Sequence, residues 1–213
     1  MKIDKNKPLP DHTKLDYDEC CALLTLKELF PDEYGDLKLS DKPDLQGAEV
    51  GVEVTIADDR VYQETLNNWV KAVSCDDEKQ KEKYIERMKQ LGTPYTGGVQ
   101  TWPQWNPSFS DIQTAVMSKV KKLGNGGYKF FQTYELFIFS DVWIHGTIIA
   151  DVMELFCDNH VFDFYKKVFI LEKGYILHIF TVRKYTMVEI DITEQSERNK
   201  RARKMVEDAE EQE

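Results

Sequence analysis

Between Pro43 and Ala57 the chain has little freedom in what it can fold into. Val50, Val52, Val54 and Ile56 alternate with Gly51, Glu53, Thr55 and Ala57. Successive side chains of a strand point to opposite faces, so this pattern predicts a strand with one apolar, buried face and one that is small and acidic at a single point. Pro43-Asp44 opens a second strand, and a tight turn near Ala48-Glu49 folds the two into a hairpin. In that register Asp44 and Glu53, with eight residues between them, become cross-strand partners close enough to share one cation. A slip of one residue would instead turn Glu53 to the buried face.

A second constellation lies further along. With Asp111 as its cap, a helix is expected over 112–123, whose Ile112, Ala115, Val116, Val120 and Leu123 fall on one stripe. Lys119 projects into that stripe, whereas Lys121 and Lys122 lie off it. Two readings of Lys119 stay open at this point. Its methylene chain carries the ammonium past the sheet edge to water, or the charge has a partner or a task.

The Asp44–Glu53 hairpin resembles the PD-(D/E)xK nuclease superfamily, in which the Asp and Glu hold a divalent metal and a lysine two residues after the Glu assists. The lysine position here is Thr55, so two of the three signature side chains match, and by element order the likeness covers roughly residues 17–57 and 108–190. The resemblance implies an α/β fold: a restriction-endonuclease-like mixed sheet flanked by helices, with a helical insertion after the hairpin. It implies Mg²⁺ or Mn²⁺ on Asp44 and Glu53. In some branches the catalytic lysine has moved to the neighbouring helix, so Lys119 is the candidate for it, and Gln113 is similar to a helix glutamine that several members bring to the site. The family often adds an acid from the helix before the hairpin. Glu19 and Glu28 both qualify, and Glu28 is taken as the third metal ligand. The implied activity is metal-dependent cleavage of phosphodiesters in nucleic acid. The alternative is a non-catalytic interaction protein on a nuclease-like fold, of the sort carried by phages or mobile elements, which Thr55, the acidic surface and the charged tail favour.

The bulk properties narrow the field. A chain of 213 residues is long enough for one well-packed α/β domain and short for two. Cys20, Cys21, Cys75 and Cys157 match neither a disulfide framework nor paired zinc-ligand spacing, and reduced thiols are expected. His12, His145, His160 and His178 are dispersed, and none stands beside a Ser or Cys in a nucleophile motif. Gly97-Gly98 and Gly124-Asn125-Gly126-Gly127 lack the lysine and helix context of a phosphate loop. Met1 to Pro10 is charged and proline-bearing without an apolar core, and no run approaches a bilayer span, so a cytoplasmic location without membrane contact is expected. The net charge of −10 opposes nucleic-acid binding. Between Ile112 and Tyr134, however, Lys119, Lys121, Lys122 and Lys129 occur with no acid, which is either a solvated helix face or a positive strip bordering the acidic pair.

The remaining elements are expected as follows. Asp18 caps a helix to about Phe30, ended by Pro31. A helical insertion (about 58–110) begins with helices over 61–91, broken at Cys75-Asp76-Asp77. Residues 92–110 form a loop with Pro94, Tyr95, Trp102, Pro103, Trp105, Pro107 and Phe109, whose aromatics stack on bases, close over the site or fold back on the insertion. Tyr134–Ser140 reads as a central strand, 147–157 as a helix, and Val168–Leu171 with Tyr175–Val182 as a hairpin, followed by a strand over Tyr185–Ile190. Residues 1–193 are expected to form one domain, with 194–213 a charged helix or tail that need not pack.

Overall fold

The computed structural model describes residues 9–10, 12–58, 60–93 and 107–211. Their contacts divide into two units, one holding 12–57 and 108–211, the other holding 58–93. The helices are α1 (Tyr17–Leu29), α2 (Pro31–Tyr34), α3 (Arg60–Ser74), α4 (Glu78–Gln90), α5 (Phe109–Gly124), α6 (Thr147–Asp158), α7 (Val161–Phe164) and α8 (Ile192–Glu211). The strands are β1 (Lys38–Leu39), β2 (Leu45–Gln46), β3 (Val50–Ala57), β4 (Thr133–Ser140), β5 (Lys167–Glu172), β6 (Ile176–Phe180) and β7 (Tyr185–Glu189).

All seven strands join one mixed sheet whose spatial order follows the chain. β3, β4 and β5 run parallel, and the other pairs are antiparallel. Parallel strands need crossovers that put helices on the faces, and both faces are covered here. The alternation inside β4 and β5 shows it. Leu136, Ile138, Val168 and Ile170 pack with Ile112, Val116, Val152 and Phe156 of α5 and α6. Phe137, Phe169 and Leu171 point the other way, toward Ala22, Leu23 and Leu26 of α1. In β3, Val52 and Val54 belong to the α1 side and Ala57 to the α5 side. Glu53 alternates with the valines, so it faces the α5 layer.

Three local expectations are corrected. The α1 cap is Asp16, whose carboxylate accepts the Asp18 and Glu19 N–H groups, and Pro31 opens the short α2. α5 begins at Phe109, and Asp111 sits in its first turn, accepting the Ser108 N–H at 2.8 Å. The third concerns the C-terminal stretch, which docks as α8 on the α1 face. Ala202 and Val206 are fully buried there, and Arg198 is buried against Glu28. A helix that is charged on most positions still packs when a narrow apolar stripe is left and its one buried cation is paired.

In the other unit α3 and α4 form a helix pair around Ala72 and Met88, with Arg87 2.6 Å from Glu64. Asp77 caps α4, as the break at Cys75-Asp76-Asp77 predicts. Pro94, Tyr95, Trp102, Pro103 and Trp105 lie outside the described residues. Among the described residues no helix is long and apolar enough to cross a membrane.

Candidate active site

The hairpin has the register its sequence predicts. Leu45 pairs with Val52 and Gln46 with Gly51, so the next pair outward is Asp44 with Glu53. The Gly47 N–H donates to the Val50 carbonyl at 2.9 Å across the turn, and the Asp36 carboxylate accepts the Ala48 N–H at 2.7 Å. Asp44 is fixed by its own Oδ2, which accepts the Val54 N–H at 2.6 Å. The approach of the two strands depends on Gly51. A Cβ there would lie 2.5 Å from Cγ of Pro43 and 3.0 Å from the Phe131 ring, so any side chain would force the hairpin and the 125–132 loop apart.

Lys119 enters from α5 and settles its own two readings. Its ammonium does not run out to water but turns onto the acids, 2.7 Å from Glu53 Oε2 and 3.3 Å from Asp44 Oδ2. The Tyr165 hydroxyl donates to the Lys119 carbonyl at 3.1 Å and holds that turn of α5 in place. Glu53 is 2% exposed, so the pair is desolvated on the carboxylate side. Burial pushes the Glu53 carboxyl up, and the Lys119 ammonium opposes that push. Tyr128 adjoins Glu53 as well, and burial next to that charge raises the phenol to about 12.

A further carboxyl adjoins the cluster. Glu19, in the first turn of α1, is pushed up to about 8 by burial and by the charges of Asp44 and Asp16, with Lys119 pulling the other way. Glu28, taken from sequence as the third ligand, goes elsewhere. Nine residues at about 100° each put it half a turn from Glu19, on the side that meets α8. There its carboxylate is 2.9 Å from Arg198 and 2.6 Å from Arg201, which lower its pKa against the upward pull of burial. Gln113 is exposed at the start of the second turn of α5 and makes no hydrogen bond to Asp44, Glu53 or Lys119 among the described residues. Asp44, Glu53 and Lys119 are thus brought together, while Glu28 and Gln113 stay apart from them. Sequence reasoning left Glu19 undecided and missed Tyr128 and Tyr165. The half-turn offset between Glu19 and Glu28 was a usable signal that only one of them can face the hairpin. Tyr128 follows a glycine-rich turn, where no periodicity assigns a direction.

Among the described residues no three His, Cys, Asp or Glu side chains are gathered as a metal cage. The donor set still fits a hard cation. Two carboxylates face each other, all the candidate ligand atoms are oxygen, and a cationic ammonium already lies against both acids. Mg²⁺ is typically held by one or two carboxylates, with waters or phosphates filling the rest of its shell. No family model matches this chain, and neither a curated protein nor a solved structure proved similar to it.

Proposed function

We propose that this protein is a metal-dependent phosphodiesterase acting on nucleic acid, built on a restriction-endonuclease-like core. The observation that carries the reading is the meeting of Asp44, Glu53 and Lys119 within 3.3 Å contacts from three separate segments of the chain. The succession of helix, hairpin, helix, strand, helix and strand supports it, with β3 and β4 adjacent and parallel. So does the presence of a lysine on the helix beside a hairpin whose own lysine position is Thr55.

Asp44 and Glu53 are the residues to hold Mg²⁺ or Mn²⁺, an ion that supplies Lewis acidity toward a phosphate oxygen and a more acidic bound water. The Val54 N–H fixes Asp44 and the Lys119 ammonium fixes Glu53, so the carboxylates are already oriented and an ion enters beside the ammonium. Lys119 is preorganised beside them in a poorly solvated place, where a cation most strongly stabilises charge growing on phosphoryl oxygens.

The test is incubation with single- and double-stranded DNA and RNA in Mg²⁺ or Mn²⁺. Cleavage is expected, is abolished by chelator, and falls by roughly two orders of magnitude in Lys119→Ala and in Glu53→Gln. Equal cleavage by Glu53→Gln would refute the assignment. The second reading, a non-catalytic interaction protein on this fold, draws on the way Lys119 already neutralises the acids. Intact substrates in every metal, with no metal-dependent change in stability, would favour it.

A further inference from the structure

The segment between α5 and β4 is tied down on either side of one exposed aromatic side chain. Tyr128 is half-buried beside Glu53, the Lys129 N–H donates to the Lys42 carbonyl at 3.4 Å, and the Lys129 carbonyl accepts from the Tyr134 hydroxyl. Phe131 is buried beneath Gly51 and edge-on to Tyr134. Between these tethered neighbours Phe130 is 89% exposed. A large apolar side chain held out in water by a fixed backbone is a feature of contact surfaces rather than of loose loops. Its surroundings set the chemistry of the contact. Lys129 leads into a groove of about 470 Å³ that Lys27 and Lys38 also line. The one acid lining it, Asp36, spends an oxygen on the Ala48 N–H. In a chain of net charge −10 this is a local excess of positive charge, and the exposed aromatic residue directly follows one of its lysines. That pairing of an aromatic platform with cations suits a strand offering both phosphates and unstacked bases.

We propose that the 125–132 loop is the substrate grip of the site, with Phe130 stacking on an unpaired base while Lys129 and Lys38 contact the adjoining phosphates, so that the preferred ligand is single-stranded nucleic acid. The inference rests on the phosphodiesterase reading for the nature of the ligand, but its contacts need no metal. Binding is therefore measured in chelator, where no cleavage occurs, by fluorescence anisotropy of a labelled single-stranded DNA and of the same sequence as a duplex. Wild type is expected to prefer the single strand. Phe130→Ala should weaken that binding about tenfold or more, and Phe130→Trp should retain it. Lys129→Ala should lower the slope of log affinity against log salt by about 0.7. Because Phe130 lies outside the core, its loss does not endanger folding.

Three results overturn the proposal: Phe130→Ala binding single strands as tightly as wild type, a preference for duplex, or no binding of nucleic acid by wild type. If wild type cleaves and Phe130→Ala is indifferent, this inference alone falls. If single strands bind through Phe130 but are never cut, the grip stands and the catalytic reading falls. Absence of any nucleic-acid binding by wild type would overturn the grip, and the metal titration below then decides the centre on its own.

Discussion

Glu53 and Lys119 form a pair that neither partner can leave cheaply, since Glu53 is almost fully buried and Lys119 is 11% exposed. An exposed ion pair contributes at most about 1 kcal/mol, whereas removing one partner of a buried pair costs about 3–5 kcal/mol because the other charge is stranded. Lys119→Met keeps the length of the side chain and removes the charge. Denaturant unfolding at neutral pH should show it destabilised by about 3 kcal/mol. The deficit should shrink in acid: without the ammonium, burial raises the Glu53 carboxyl further, and its protonation removes the stranded charge. A loss under about 1 kcal/mol would mean that the pair is solvated. This residue was legible in the sequence because a charge stood in an apolar stripe. Its acceptors were legible because strand alternation fixes which side chains share a face. Tyr128 was not, since a turn with glycines at positive φ, Gly126 and Gly127, carries no period to read.

Among the elements, β4 and β5 announced themselves as apolar runs because both of their faces are covered, and β3 did so through its alternation. α8 did not. Its buried side includes Gln195, Arg198 and Glu210, polar residues that find partners only in the folded molecule, so its composition reads as a solvated tail. Arg198 shows why: buried at 2% exposure, it donates to Gln195 within α8 and to Glu28 of α1, and no sequence pattern could supply the second contact. A docked α8 and a free tail respond differently to a charge at Val206. Val206→Asp buries an unpaired carboxylate against α1 and should cost about 2–4 kcal/mol in equilibrium unfolding. A tail would register within about 0.5 kcal/mol, the range of ordinary surface substitutions.

At the scale of the whole molecule the sheet carries a second buried polar chain, separate from the candidate site in sequence and on the strands that close the sheet. His178 on β6 lies 3.0 Å from Glu172 and 2.9 Å from the Tyr185 hydroxyl, and Glu172 also accepts the Ile144 N–H at 2.8 Å. Burial pushes the imidazole below its ordinary 6.5 in spite of the carboxylate beside it. A depressed folded-state pKa means that the unfolded chain takes up the proton first, so the contribution of His178 is full above 6.5 and is lost as the pH falls through its folded value. The unfolding free energy of His178→Gln relative to wild type should therefore rise as the pH is lowered from about 8 to about 5. A constant difference would show that His178 titrates alike in both states. The proposed metal site rests on Asp44 and Glu53. It is tested most directly by thermal unfolding of wild type and Asp44→Asn with and without Mg²⁺ or Mn²⁺, the asparagine keeping an acceptor for the Val54 N–H. Ion at about a hundred times its dissociation constant stabilises the native state by about 2.7 kcal/mol, which for a chain of this size raises the midpoint by roughly 5–10 °C. The account predicts that rise in wild type and its loss in Asp44→Asn, while an unchanged midpoint in wild type at millimolar metal, or an equal rise in both proteins, would contradict it.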